Sequence, residues 1–159
     1  MTIRKISKED LEDWVEMRSA LWPGDNHRPE ILQYFEGTCR EPTAVMVAVT
    51  GTGELMGHIE ISVRFGPDGE WHGFIEGLFV KPQFRRGNVF RELVCGALAW
   101  SAHKNFASVL ADRGPRLYEI QHSGAARLLE RHITEEELHQ NYPLRRQSHE
   151  QSRRSQRGS

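Results

Sequence analysis

Apolar residues recur at helical spacing in some stretches and crowd together in others, and this contrast sorts the chain into elements. Leu11, Trp14, Val15, Arg18 and Leu21 fall on one helical face. Ser7 with Asp10 supplies a start signal and Trp22-Pro23-Gly24 a stop, so the first helix is predicted over about 8–21. A shorter second helix begins near Pro29, carries Ile31, Leu32, Tyr34 and Phe35, and ends at Gly37. Then the rhythm changes. Ala44–Val49 is an apolar, β-branched run, Gly51-Thr52-Gly53-Glu54 is a turn, and Leu55–Phe65 resumes with partial alternation through Ile59, Ile61 and Val63, which predicts an antiparallel hairpin. After the polar loop Gly66–Glu70, Trp71–Val80 reads as a third strand that Lys81-Pro82 stops. Between about Asn88 and Lys104, Phe90, Leu93, Val94, Ala97, Leu98 and Ser101 mark an amphipathic helix. Phe106–Leu110 follows as a short buried strand, and strand–helix–strand implies a parallel crossover within one sheet. Past Pro115 the spacing predicts a helix around Gln121–Arg131 and another at Thr134–Gln140, while residues 145–159 hold no apolar side chain and read as a disordered polar tail. The fold class expected is α+β, with a mixed, mostly antiparallel central sheet flanked by helices.

A chain of 159 residues fits one hydrophobic core, taken here as a single domain over 1–144. No stretch approaches the roughly 20 apolar residues that cross a bilayer, and MTIRKISKEDLEDW is too charged for a secretory signal, so a soluble, cytoplasmic protein without a membrane partner is expected. Cys39 and Cys95 are too few for a disulfide framework and read as free thiols. Neither they nor the 8 histidines form a metal-ligand spacing, so no metal is expected. The net charge of −1 hides an asymmetry, because residues 1–84 are acidic on balance and residues 85–159 basic. An acidic half suits a cationic ligand and a basic half suits phosphates, although ordinary solvated surface gives the same counts. No aromatic residues interleave with the basic ones, so no nucleic-acid partner is expected.

Candidate chemistry concentrates in FIEGLFVKPQFRRGNVFREL, where a strand passes through an arginine-bearing loop straight into a helix. Such a junction gathers unpaired N–H groups and the positive helix end, which together bind phosphate, and Arg85 and Arg86 add fixed charge. Glu76 interrupts an otherwise apolar run, and a carboxylate there carries a desolvation cost unless a cation or hydrogen bonds meet it. A strand that simply turns Glu76 to water is the plainer alternative.

The words Val80-x-Pro82-x-x-Arg85 before an amphipathic helix resemble the acetyl-CoA motif of the GNAT superfamily. The patterns Leu11-Glu12-x-Trp14, Arg18-x-x-Leu21-Trp22-Pro23 and Phe74-Ile75-Glu76-Gly77-Leu78-Phe79-Val80 are similar to the aminoglycoside 6'-N-acetyltransferases over residues 1–115. The resemblance implies a GNAT-like fold, acetyl-CoA as acetyl donor, a small polycationic acceptor and a homodimer. It implies that Leu78, Phe79 and Val80 hold the cofactor arm through the main chain, and that Arg85, Arg86, Gly87, Asn88, Val89, Phe90 and Arg91 form the pyrophosphate loop. It also implies that Trp22, Glu76 and Asp112 bind the cationic sugar, with Glu76 taking the proton of the attacking amine. Read without the resemblance, Trp22 serves equally as a cap on the first helix, and Asp112 as a loop residue before the Arg113-Gly114-Pro115 turn.

The chain also departs from that family. Asn88 and Phe90 occupy the two small-residue positions of the loop, Leu117 stands where an asparagine contacts CoA, and the matching stops after Pro115. A frameshifted or recombined end would remove the closing β-hairpin; a divergent end is the other explanation. The activity expected is acetylation of an aminoglycoside 6'-amine by direct transfer. A GNAT acting on another small amine, or a non-catalytic relative with weak acetyl-CoA binding, is the second reading.

Overall fold

The computed structural model describes residues 1–145, and the tail expected to be disordered lies outside them apart from Arg145. Seven strands, β1 (Thr2–Lys5), β2 (Ala44–Val49), β3 (Leu55–Phe65), β4 (Trp71–Val80), β5 (Val109–Arg113), β6 (Arg116–Ile120) and β7 (Ala126–His132), form one sheet in chain order. Only β4 and β5 pair in parallel, as expected of two strands joined by a crossover helix. Four helices accompany them: α1 (Leu11–Leu21), α2 (Arg28–Glu36), α3 (Val89–His103) and α4 (Glu135–Asn141). The α+β fold with a mixed, mostly antiparallel sheet is therefore as the hydrophobic pattern predicts. Among the described residues, no helix is long and apolar enough to cross a membrane.

Every residue of β2 is buried, because helices cover both sheet faces. On one face α1 and α2 bring Trp14, Met17 and Ile31 against Val45 and Val47. Trp14 is locked edge-on against Tyr34 and Phe35, with ring centroids 5.1 and 5.7 Å away. On the other, α3 presses Val89, Leu93 and Ala97 onto Ile59, Ile61 and Val80. A third cluster joins Phe74, Leu110, Leu117, Ile133 and Leu138 at the far end of the sheet.

Two expectations for the C-terminal part need correction, and of the two explanations for its end the loss of a closing hairpin is the one the strands disfavour. The helix predicted over Gln121–Arg131 is instead β7, paired antiparallel with β6 through Ile120↔Ala126 and Glu119↔Arg127. The chain reverses where Gly124, at φ 81, donates to Gln121 O over 2.8 Å, and the segment gains a strand partner that outweighs its local helix preference. The closing strands are not missing either, since β5, β6 and β7 form a meander. The strand predicted at Phe106–Leu110 is displaced to Val109–Arg113; Phe106 instead packs edge-on against Trp100, closing the end of α3. The helix at Thr134–Gln140 does form as α4, with Thr134 and Glu137 making a reciprocal capping box.

Candidate active site

β4 and β5 pair at Gly73–Ile75 against Val109–Ala111 and then part, so from Glu76 to Val80 one edge of β4 has no strand of the described residues beside it. At the parting point β4 carries a bulge: Ile75 pairs with Ile61 and Gly77 with Glu60, leaving Glu76 as the extra residue. The bulge aims the Glu76 carboxylate toward β3, where the Ser62 hydroxyl donates to it and Arg64 Nη2 donates over 2.8 Å. Arg64 is only 2% exposed. Its guanidinium lies 4.4 Å over the Phe74 ring and donates through Nη1 to Tyr142 O at 3.1 Å.

Two cavities meet at this point. One, of about 450 Å³, is polar and is lined by Glu41, Arg64, Glu76, Asp112, Glu135 and His139 among others. The other, of about 590 Å³, is largely apolar, running past Leu78, Phe90, Val94, Leu98 and Ala111, and it shares Glu76 and Asp112 with the first. In the polar cavity, burial and then the charge of Glu76 push the Glu41 carboxyl up to about 7, against the opposing pull of Arg64. Asp112 sits at the rim, where desolvation raises its carboxyl, with Glu76 adding to the effect. The site thus has more acid than base, a surrounding that favours a cationic guest.

Trp22 follows α1 and lines neither cavity, lying over Gly77 on the α1 face of β4. A Cβ on Gly77 would fall 2.6 Å from the Trp22 ring, so only glycine fits beneath the indole. Arg18 stacks 5.2 Å above the same indole, and the His27 ring nitrogen Nε2 is 2.7 Å from Trp22 O. Arg18 in turn pairs with Glu30 at 2.6 Å and with Glu60 at 3.2 Å. Glu60 is buried, which alone raises its carboxyl, but bonding to His58, the Arg18 charge and the Trp14 N–H together hold it below the usual range. Trp22 therefore rims a separate hollow with Asp25 and Glu30.

The predicted cofactor loop is open. A short 3-10 turn (Pro82–Phe84) leads into Arg85–Asn88, and α3 begins at Val89. The first intrahelical bond is Glu92 N to Asn88 O at 2.9 Å, so the preceding N–H groups have no carbonyl one turn back. Val89 is buried and offers only its main chain, whereas Arg86, Gly87, Asn88 and Arg91 are exposed. Arg85 folds back instead, donating from Nε to Val80 O over 2.8 Å and lying 5.5 Å above the Phe79 ring. Phe90 is 61% exposed and stands between the apolar cavity and a smaller one beside Leu78, Phe79 and Val80. Leu117 lies in the third core cluster, paired with Asp112, and not in the cleft.

A family description, the acetyltransferase (GNAT) family, matches residues 9–122. The chain belongs to the GNAT family. Among its GNAT relatives, the aminoglycoside N(6')-acetyltransferase type 1 of Klebsiella aerogenes is 32% identical over 116 residues, covering 69% of this chain and 76% of the relative. That of Stenotrophomonas maltophilia is 28% identical over 148 residues, covering 90% and 94%. The solved structure of AAC(6')-Iy in complex with the bisubstrate analogue CoA-S-monomethyl-acetylneamine superposes with a TM-score of 0.62 at 29% identity, over 72% of this chain and 80% of that one. The enzyme AAC(6')-Ih from Acinetobacter baumannii gives 0.61 at 25% identity, over 71% and 79%.

Sequence reasoning singled out Glu76 and Asp112, which the fold brings to one junction, but missed Ser62, Arg64 and Glu41. The signal for the first two was the polar alternation His58, Glu60, Ser62, Arg64 in β3, a stripe that would ordinarily face water and here faces α1, α2 and the cavity. Glu41 carried no signal.

Proposed function

We propose that the protein transfers the acetyl group of acetyl-CoA to the 6'-amine of an aminoglycoside by direct attack within a ternary complex. The observation that carries this reading is the meeting of an apolar cleft and an acidic cavity at Glu76 and Asp112, beside the strandless edge of β4. The apolar arm suits the pantetheine chain of acetyl-CoA, with the main chain of Leu78, Phe79 and Val80 as its partner. The loop from Arg85 to Arg91 suits the pyrophosphate. The acidic arm suits a polycationic sugar, held by Glu76 and Asp112, with Trp22 as a further contact from the separate hollow it rims with Asp25 and Glu30.

In this arrangement the neutral amine nitrogen attacks the thioester carbonyl carbon, the C–S bond breaks, and the thiolate of CoA leaves. Glu76 takes the first proton from the ammonium before that attack, directly or through one water, and the second proton, released as the amide forms, goes to the departing thiolate. A backbone N–H of the 78–80 segment faces the developing oxyanion, and holding both reactants at the junction supplies much of the rate. The same reading takes residues 1–144 as one domain of a cytoplasmic homodimer. Release of CoA thiol on mixing the protein with acetyl-CoA and kanamycin, with the product acetylated at the 6' position by mass spectrometry, tests it; absence of turnover with tight acetyl-CoA binding would overturn it.

A second reading has its own observation. Phe90 projects its ring where a pyrophosphate would approach the start of α3, and Arg85 is turned onto Val80 O. Both features fit a relative that binds acetyl-CoA weakly and turns over little. Calorimetric titration with acetyl-CoA separates the two, micromolar affinity supporting the enzyme.

A further inference from the structure

Glu41 precedes β2 and belongs to none of the motifs that pointed to the site, yet its side chain enters the acidic cavity beside Glu76. We infer that Glu41 and Glu76 share one proton across their carboxylates, and that a cationic amine entering the cavity displaces it to solvent. The inference rests on the reading of this cavity as the amine site.

The geometry leaves few alternatives to a shared proton. Glu41 Oε2 is sealed from solvent and no hydrogen-bond donor of the described residues reaches it. Glu41 and Glu76 line the same cavity, close enough for the Glu76 charge to bear on Glu41, and two ionised carboxylates have no proton to offer each other. The groups that face Glu41 come from five elements: Glu30 on α2, Arg64 on β3, Glu76 on β4, Asp112 on β5, and Glu135 with His139 on α4. Arg64 is the one arginine or lysine among them, and its two Nη atoms are already bonded to Glu76 and Tyr142 O. Burial and the Glu76 charge accordingly keep the Glu41 proton up to about 7. An ammonium group supplies the missing positive charge, so the guest and the proton compete for one place. On binding, the O–H bond of the pair breaks, the proton passes to solvent, and the two carboxylates are left ionised around R–NH3+. No other bond changes.

Proton release on kanamycin binding is countable by calorimetry at pH 7 in two buffers of different ionisation enthalpy. Because the amines of kanamycin also titrate, the quantity that decides is the difference between the wild type and Glu41→Gln, whose amide mimics a carboxyl that never releases its proton. At pH 7, where a group titrating near 7 is half protonated, the wild type is expected to release about half a proton more than the variant. Its affinity for kanamycin should also rise about tenfold more than the variant's between pH 6 and pH 8, as a group titrating near 7 requires. Acetyl-CoA affinity checks that the variant is folded, and Glu41→Ala serves if the amide disturbs the bend before Pro42. Equal proton counts and parallel pH curves, with kanamycin bound by both proteins, overturn the shared proton alone. Failure of the wild type to bind kanamycin at all overturns the amine site, and this inference with it.

Discussion

The acidic arm and the cofactor arm of the cleft are built on opposite plans. In the acidic arm the central charged pair is already tied down: Arg64 to Glu76 and the Tyr142 carbonyl, Glu76 to Ser62. In the cofactor arm Arg86 and Arg91 extend into solvent, the first N–H groups of α3 are unbonded, and a phenylalanine stands at the entrance. A side that is ordered before its ligand arrives binds with little further loss of freedom, while the open side must be ordered by the ligand itself. Substitutions in the first arm should therefore affect turnover and folding together, and substitutions in the second only affinity.

The largest effect expected is from Glu76→Gln. It keeps the shape and the Arg64 contact but removes the proton acceptor, so kcat/KM for kanamycin should fall about 10³-fold with acetyl-CoA affinity unchanged. An equal loss of acetyl-CoA affinity would erase the distinction between the arms. Next comes Arg64→Met, which leaves Glu76 and Glu41 together without their cation. Breaking a buried pair costs about 3 kcal/mol, read as a lowered midpoint in urea. On the cofactor side, Asn88→Gly with Phe90→Ala should tighten acetyl-CoA about tenfold by calorimetry while leaving the urea midpoint nearly unchanged. The smallest effect concerns pH. Glu41 keeps its proton to about 7 in the fold but only to the ordinary glutamate value of 4.5 when unfolded, so the folded chain binds extra proton between those limits and loses stability as pH rises through them. Glu41→Gln should flatten that decline, with a higher melting temperature than the wild type at pH 8 and a smaller difference at pH 5.

How far the sequence foretold all this follows from the range of the interactions concerned. Helix α3 and the β2–β3 hairpin are set by spacing within ten or fifteen residues, and the pattern of apolar positions reveals them directly. Glu76 was visible for the same reason, as one carboxylate in an apolar run. Its partners were not, since Glu41, Ser62 and Arg64 reach it only through the pairing of β3 with β4 and the bulge between them. The bulge itself leaves no mark in FIEGLFV. Residues 121–131 failed in the opposite direction, because their local preference was legible but was overruled by pairing with β6.

The narrow contact between β4 and β5 also bears on how the molecule breathes. Three residue pairs join β5 to β4, and the remaining attachment passes through the small cluster of Phe74, Leu110 and Leu117 and through residues 142–145, which bond back to β3 by Phe65 N to Pro143 O at 3.0 Å and Arg145 N to Val63 O at 2.8 Å. The meander β5–β7 is thus held more narrowly than β1–β4, whose strands are clamped between helices on both faces. In native-state hydrogen exchange the amides of Leu110 and Leu117 should open at a lower free energy than those of Val47 and Ile59. The wall that carries Asp112 and faces α4 is the part of the cleft that yields first, so the same seam that makes room for a substrate also sets the weakest point of the fold.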